Sequence, residues 1–477
     1  MPEQKYSLPS SLYPYQVEDA NKIADTNQNW LLCHEMGVGK TPITIYAIER
    51  RKAQLPLIVC PNSLRYEWAR QIKEWTGIDA AVSGTYYAKG GKMGQIVRSL
   101  LSEQDKKYRI VNYETLRSGG AELLKIVPWD VVVFDEIHKL RNPYIHKVKQ
   151  VVKGAWDFLN AIPPNKIIGL SGSPILNYPD DLYGPLSMCF PDKYPRSSSA
   201  LRVFLSRYMM YSTGRYGTYA YGSHNLNSLR EETKDLIIRR TKAEVLPFLP
   251  EKYYQRPELE MPADQRKIYT QMETELRVML DSGEPLWSPT VLSQLTRLRQ
   301  INLDPKIVGI TANSAKTEYV MDLIESTDEK LVIFSCFEKY IYLLSEFLKA
   351  QEKNCAVVTG QVPVERRSLE VKRFQEDENC RVFLGTIQTA GEGITLTASS
   401  TVVLVDRWWN EPTNQQAVDR LHRIGQKNAV QVLLPVCSKS VDSALDEILQ
   451  RKHEASQAYY GENEVRNSVF SALQYLQ

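Results

Sequence analysis

The chain has 477 residues, and its 59 basic and 56 acidic residues leave a formal charge of +3. At about 150 residues per domain there is room for two to four domains, and there is no global polycation signal for nucleic acid. With 43% hydrophobic and 24% charged residues, the composition excludes a disordered tail, a fibre and a small stapled scaffold. The seven cysteines are odd in number and lack a C-x-x-C pair, and the six histidines show no metal-ligand spacing. The cysteine pattern argues against a disulfide framework and for a reducing compartment, and the histidine pattern gives no sign of a metal site. The first sixteen residues, MPEQKYSLPSSLYPYQ, hold no apolar signal core, and runs such as VVVF (131–134) and LVIF (331–334) fall far short of the roughly 18 residues that span a bilayer. A soluble, intracellular protein is expected.

In chain order, short β-branched runs recur at PLIVCP (56–61), YRIVNYE (108–114), VVVFDE (131–136) and KIIGLSGSP (166–174). A second series follows at KLVIFS (330–335), CAVVTG (355–360), RVFLGT (381–386), TVVLVD (401–406) and VQVLLPV (430–436). Continuously apolar strands of this kind suit a parallel sheet covered on both faces. Helical spacing lies between them, as in SLRYEWARQIKEW (63–75) and VERRSLEVKRFQ (364–375). The fold class is therefore α/β, with two parallel-sheet units whose ligand loops follow the carboxyl ends of strands. The middle, 179–310, lacks clear strand runs and shows helical patterns at 264–281 and 288–301. It reads as helical insertions and a linker between the two units.

Several motifs carry chemistry. WLLCHEMGVGKT (30–41) is an apolar run followed by a Gly-rich loop. Backbone N–H groups of Gly37, Val38 and Gly39 can cradle phosphates, Lys40 can reach the β- and γ-phosphates, and Thr41 can ligate Mg²⁺. His34 stands where the strict phosphate-loop spacing has its first glycine. VVVFDEIH (131–138) supplies Asp135 for Mg²⁺ and Glu136 to polarise an attacking water; an isolated pair would be a solvated strand end, but this one follows a phosphate loop. His138 then couples the nucleotide site to LSGSP (170–174), where Ser171, Gly172 and Ser173 occupy a strand end that composition alone marks only as a turn. In QQAVDRLHRIGQ (415–426), Arg420 and Arg423 are three apart and so share a helix face. They are either a solvated basic face or trans-acting fingers on the γ-phosphate of ATP.

Taken together, these motifs resemble a Swi/Snf-type ATPase of helicase superfamily two, over roughly residues 10–450. HEMGVGKT is similar to the family's D-E-M-G-L-G-K-T, CPNSLRYEW (60–68) to its motif Ia, and NYE (112–114) to the motif after it. RRTKAEVLPFLPEK (239–252), LRQINLDP (298–305) and DRWWNEP (406–412) resemble signatures of this group rather than of helicases at large. The resemblance implies two RecA-like lobes. The ATP-binding one is 1–178, the finger-bearing one is 311–450, and a helical tail covers 451–477. It also implies adenine recognition at Gln16, nucleotide contact at Gly393 and a catalytic role for Gln416. Ser63, Asn112 and Thr395 become candidate nucleic-acid contacts. AGEGITLTASSTVV (390–403) resembles the annealing-helicase branch, Thr395 replacing the Asn of nucleosome remodellers. His34 and Tyr13 depart from an acidic residue and an Arg in the family pattern.

The implied protein is a DNA-stimulated, Mg²⁺-dependent ATPase that moves along double-stranded or branched DNA, gripped through phosphates. A strand-separating helicase, or the motor of a restriction or defence complex, is the alternative. A nucleotide-controlled DNA-binding scaffold without turnover is a third reading. No membrane is implied, protein partners are open, and the expected location is cytoplasmic or nucleoid-associated in a prokaryotic or viral setting. The Tyr/Arg stretch YSTGRYGTYAYGSH (211–224) can grip strands or simply pack, and Trp408 and Trp409 read as core and interface residues. Residues 1–178 carry 23 basic and 17 acidic residues, whereas 311–477 carry 18 and 23. A near-neutral total thus hides a basic first unit and an acidic second one.

Overall fold

The apolar runs form strands in the computed structural model, which describes residues 12–83, 103, 105–117, 120–141, 148–172, 179–214, 217–281, 289–390, 394–409 and 411–443. The chain divides into two units, 1–247 and 248–477. Each unit is built on its own sheet, and each is described here by itself.

In chain order the strands of the first unit are β1 Trp30–Leu32, β2 Pro56–Cys60, β3 Ala81–Val82, β4 Arg109–Asn112, β5 Val131–Phe134, β6 Lys166–Leu170, β7 Met209–Gly214, β8 Gly217–Ser223 and β9 Ile237–Ile238. Seven of them make one sheet in the order β3-β4-β2-β5-β6-β1-β9, with every pairing parallel. β2, β5 and β6 are buried at every position, as expected for strands covered on both faces. One face carries Val132, Phe134 and Ile167 into a core with Trp156 and Phe158, and the other carries Ile58, Val133 and Ile168 into a core with Ile45, Trp68 and Ile72. Fully burying each such aliphatic side chain stabilises the fold by about 1.5–3 kcal/mol. The helices that matter for the site are α1 Pro14–Asp25, α2 Lys40–Arg50 and α3 Arg65–Thr76.

The second unit has β10 Lys252–Gln255, β11 Glu258–Leu259, β12 Leu331–Ser335, β13 Cys355–Val358, β14 Val382–Thr386, β15 Thr401–Leu404, β16 Val430–Leu433 and β17 Val436–Cys437. Its main sheet runs β10-β16-β15-β12-β14-β13, again all parallel. Both units are α/β lobes built on a parallel sheet. Among the described residues no helix is long and apolar enough to cross a membrane.

The middle segment departs from its reading as purely helical. The helices read at 264–281 and 288–301 are present as Ala263–Asp281 and Pro289–Leu303. Strands β7 and β8 nevertheless pair antiparallel, β9 joins the edge of the first sheet and β10 joins the edge of the second. The short edge strands were hidden because two to four residues of strand carry almost no periodic signal. The antiparallel pair was hidden because its Tyr/Gly/Ser/Thr alternation lacks an apolar face. The side chains of 212–223, Ser173, Gly393 and the tail 451–477 lie outside the described residues.

Candidate functional site

In a parallel sheet, ligand loops emerge at the carboxyl ends of strands. β5, β6 and β1 are neighbours, so topology alone brings three sequence-distant motifs to one rim. Residues 33–39 leave β1, Asp135 and Glu136 leave β5, and Ser171 and Gly172 leave β6. Gly37 and Gly39 have φ of 82° and 90°, in the left-handed region that a Cβ disfavours. Gly39 caps the N-terminus of α2, where unpaired backbone N–H groups and the helix dipole favour an anion. A Cβ on Gly39 would lie 2.1 Å from Gln16 Nε2, and one on Gly172 would lie 2.6 Å from Met36 Cγ and 3.4 Å from Lys40 Nζ. Gly172 is thus packed against the phosphate-loop lysine, and the loop against the glutamine implied for adenine.

Lys40 Nζ donates to the carbonyls of His34 (3.0 Å) and Glu35 (3.2 Å). Thr41 is half-buried in the first turn of α2. Gln16 is buried; its Nε2 donates to the Val38 carbonyl at 3.2 Å and its Oε1 accepts from Tyr13 N at 3.0 Å. Tyr15 OH donates to the same Val38 carbonyl at 2.8 Å.

Asp135 is 8% exposed and Glu136 9%. Trp68 Nε1 of α3 donates to Asp135 Oδ2 at 2.7 Å, and Glu136 N donates to Oδ1 at 2.9 Å. Tyr113 OH donates to the Asp135 carbonyl at 2.8 Å. Burial and then the neighbouring Glu136 charge push the Asp135 carboxyl above its usual value, against the Trp68 hydrogen bond and the Lys40 charge. Glu136 has φ 52° and ψ 51°, a strained position for a residue with a Cβ, costing about 1–2 kcal/mol. His138 Nδ1 lies 3.2 Å from Glu136 Oε2, and Ser171 is fully buried with its N–H bonded to the Leu32 carbonyl of β1.

A Thr hydroxyl and a carboxylate are hard oxygen donors suited to Mg²⁺, which prefers one or two carboxylates with phosphate oxygens. Thr41 and Asp135, at the start of α2 and the end of β5, fit that group. The two left-handed glycines keep Cβ atoms off the loop backbone.

Residues that were given no role at this site from the sequence hold this rim. Trp68 fixes the Asp135 carboxylate. Asp19, His34 and Arg240 tie the phosphate loop to α1 and to the segment after β9. Arg240 Nε and Nη2 reach Asp19 Oδ2 and Oδ1 at 2.8 and 2.7 Å, and Lys242 N donates to Glu35 Oε2 at 2.9 Å. The RRTKAE signature, which holds Arg240 and Lys242, was the available signal.

In the second unit the arginines are not on a helix. The helix ends at Val418, and Arg420 and Arg423 lie in the turns that follow. The reason is competition for backbone groups. Arg420 N and Leu421 N bond three residues back, the Arg420 carbonyl accepts from Leu396 N, and Gly425 takes φ 103°. Gln426 Nε2 then holds the Ser399 carbonyl at 2.8 Å. Arg423 Nη1 donates to Thr395 Oγ1 at 2.9 Å and to the Ile394 carbonyl at 3.3 Å. The structure therefore brings together a finger candidate and a nucleic-acid candidate. Arg420 is buried and Gln416 half-buried. Arg299 of LRQINLDP donates to the Arg407 carbonyl at 2.7 Å and stacks 4.7 Å from the Trp409 ring, so two family signatures meet and Trp409 is a packing residue.

Of the other nucleic-acid candidates, Asn112 is 4% exposed. Its Nδ2 donates to Asn62 Oδ1 at 3.1 Å, and its Oδ1 accepts from Thr115 N and Oγ1. That side chain orders the loop around Asn62 and Ser63 rather than projecting from it. Ser63 is half-buried on the short turn Asn62–Leu64.

A model of the SNF2-related domain matches residues 15–307, and one of the helicase conserved C-terminal domain matches residues 315–425. The chain belongs to the SNF2-related family. It is a Swi/Snf-type ATPase of helicase superfamily two. Over 466 residues it is 26% identical to the DNA annealing helicase and endonuclease ZRANB3 of Bos taurus, covering 94% of this chain and 40% of that protein. Over 459 residues it is 27% identical to an uncharacterized ATP-dependent helicase of Mycoplasma pneumoniae, covering 93% and 42%. The Sulfolobus solfataricus SWI2/SNF2 ATPase core in complex with dsDNA is 23% identical, covering 98% of this chain and 96% of that one, with a TM-score of 0.44. This SNF2-related chain spans about 40% of the length of such curated relatives.

Proposed function

We propose that this protein is an ATP-dependent translocase on double-stranded DNA, acting on branched or annealing structures. The observation that carries the ATP half is the convergence of Lys40, Asp135, Glu136 and Gly172 on adjacent strand ends. In this reading Gln16 meets the adenine, Gly37, Val38, Gly39 and Lys40 hold the phosphates, and Glu136 orients the attacking water. Asp135 and Thr41 hold Mg²⁺, which supplies charge neutralisation at the β- and γ-phosphates. Arg420 and Arg423 of the second unit supply transition-state charge, worth roughly 10³–10⁵ in rate for a finger. Gln416 supports them, and His138 with Ser171, Gly172 and Ser173 passes the state of the nucleotide to the rest of the first unit. Gly393 and Thr395 belong to the corresponding loop of the second.

The DNA half is supported by family membership and by the names of the relatives, which include an annealing helicase. Contacts near Ser63 and Thr395 would be mainly to phosphates, giving binding that is sequence-tolerant and weakens with salt. The test pairs triplex displacement on blunt duplex with unwinding of a forked duplex. Translocation predicts displacement that needs ATP and is lost in Lys40→Ala; unwinding without displacement would refute it. An ATPase panel on single-stranded, duplex and forked DNA then ranks the substrates.

A further inference from the structure

We propose that Asp19, His34 and Arg240 form a clasp that positions the phosphate loop, making all three positioning residues of the nucleotide site. This rests on the nucleotide reading above. The clasp begins with a tautomer. His34 is fully buried, and its Nδ1 accepts the Arg240 backbone N–H at 3.1 Å. An accepting Nδ1 carries no proton, so Nε2–H must donate to Asp19 Oδ2, 2.9 Å away. Asp19 also takes both prongs of the Arg240 guanidinium, and Glu18 adds an ion pair to Arg240 Nη2 at 2.9 Å. A two-pronged, charge-assisted contact of this kind fixes orientation as well as distance.

The consequences run to both ends of the loop. At its start, Cys33 N donates to the Ile238 carbonyl at 2.7 Å, Glu35 N to the Arg240 carbonyl at 3.1 Å, and Lys242 N to Glu35 Oε2. Residues 33–35 are therefore zipped to 238–242. The His34 and Glu35 carbonyls in that zipper are the ones that accept Lys40 Nζ. At the far end, Tyr15 and Gln16 hold the Val38 carbonyl. Gln16 and Asp19 are three apart on α1 and lie on one face of it. One helix thus grips the loop at residue 34 and again at residue 38. Loosening Asp19–His34–Arg240 frees the start of the loop, releases Lys40 and tilts the residue implied for adenine. These are groups that hold ATP in its ground state, whereas Glu136 is placed separately by β5, Tyr113 and Trp68.

The clasp therefore affects KM more than kcat. Fluorescent ATP-analogue binding, steady-state kcat and KM, and Tm are measured on the full chain. The variants are Asp19→Ala, Arg240→Ala, their double, His34→Asn, His34→Leu and Arg240→Lys. Each alanine variant should weaken nucleotide binding by about tenfold or more, with kcat changed by less than about threefold. The double should be no more than about threefold worse than the poorer single, because both remove one contact. His34→Asn, which keeps an acceptor for the Arg240 N–H, should recover most of the binding that His34→Leu loses. His34→Asn and Arg240→Lys keep the packing, so the comparison survives if an alanine variant does not fold. Lower Tm with unchanged nucleotide affinity, or single losses that multiply in the double, overturns the clasp. Lys40→Ala is run alongside. If it binds nucleotide as well as the parent, the phosphate-loop reading falls and the clasp falls with it.

Discussion

Trp68→Phe is the sharpest perturbation of the acid end of the site. Trp68 is 2% exposed, and its indole N–H donates to Asp135 Oδ2 at 2.7 Å. Phenylalanine keeps an aromatic ring in the core beside Ile72 and Ile58 but removes the indole donor that α3 offers to that oxygen. A hydrogen bond to a charged group is worth about 1.5–3 kcal/mol, which corresponds to roughly 10- to 150-fold in an equilibrium constant. Losing the outer partner of a metal-ligating carboxylate costs about 10–100-fold in metal affinity by the same logic. A water entering the vacated edge would recover part of this, placing the expected effect near the lower bound. The assay is Mn²⁺ or Mg²⁺ titration of the ATP-bound protein, read by metal binding and by hydrolysis rate. Half-saturation should move up by about tenfold, with Tm lowered by the small cavity alone. An unchanged metal midpoint in a folded Trp68→Phe would refute the claim that α3 orients Asp135.

Gly39→Ala introduces a side chain at φ 90° and 2.1 Å from Gln16 Nε2. Left-handed strain of about 1–2 kcal/mol and displacement of Gln16 from its two hydrogen bonds, at about 0.5–1.5 kcal/mol each, should weaken nucleotide binding by about tenfold or more; parent-like affinity by calorimetry contradicts this. Burial holds the His34 imidazole below its usual value, faced by Asp19 on α1, Arg240 beyond β9 and Lys40 on α2. A histidine kept neutral in the folded state contributes stability above its unfolded value, about 6.5. That contribution is lost as pH falls below it, at about 1.4 kcal/mol per unit. Tm should therefore fall more steeply between about pH 6.5 and 5.5 in the parent than in His34→Asn, and parallel curves would remove the neutral tautomer. Asp19, whose burial is outweighed by hydrogen bonds from His34 and Arg240, is held low and titrates only in a more acidic window. Thr395→Val keeps the shape but removes the acceptor for Arg423; kcat should fall by about threefold to tenfold with KM for ATP little changed, measured by steady-state hydrolysis.

Residues 30–41, 131–136, 166–172 and the five strand runs of the second unit were legible in the amino-acid order. Parallel strands buried on both faces are continuous apolar runs, and a phosphate loop is a contiguous string of glycines and a lysine. Local chemistry of that kind needs no neighbours to be recognised. The hydrogen bonds from Trp68 to Asp135 and from His34 and Arg240 to Asp19 were not legible, because they join residues 67, 15 and 221 positions apart. The strand order β2-β5-β6-β1-β9 brings them together. The turn bearing Arg420 and Arg423 was misread as a helix for the same reason: the Arg420 carbonyl is claimed by Leu396 N, a competitor that spacing within QQAVDRLHRIGQ cannot reveal. The sequence by itself determined the central strands of both main sheets, the family and the motifs proposed to meet phosphate. Tertiary structure decided which side chains hold those groups in place, because orientation inside a buried site is set by partners that the chain order keeps far apart.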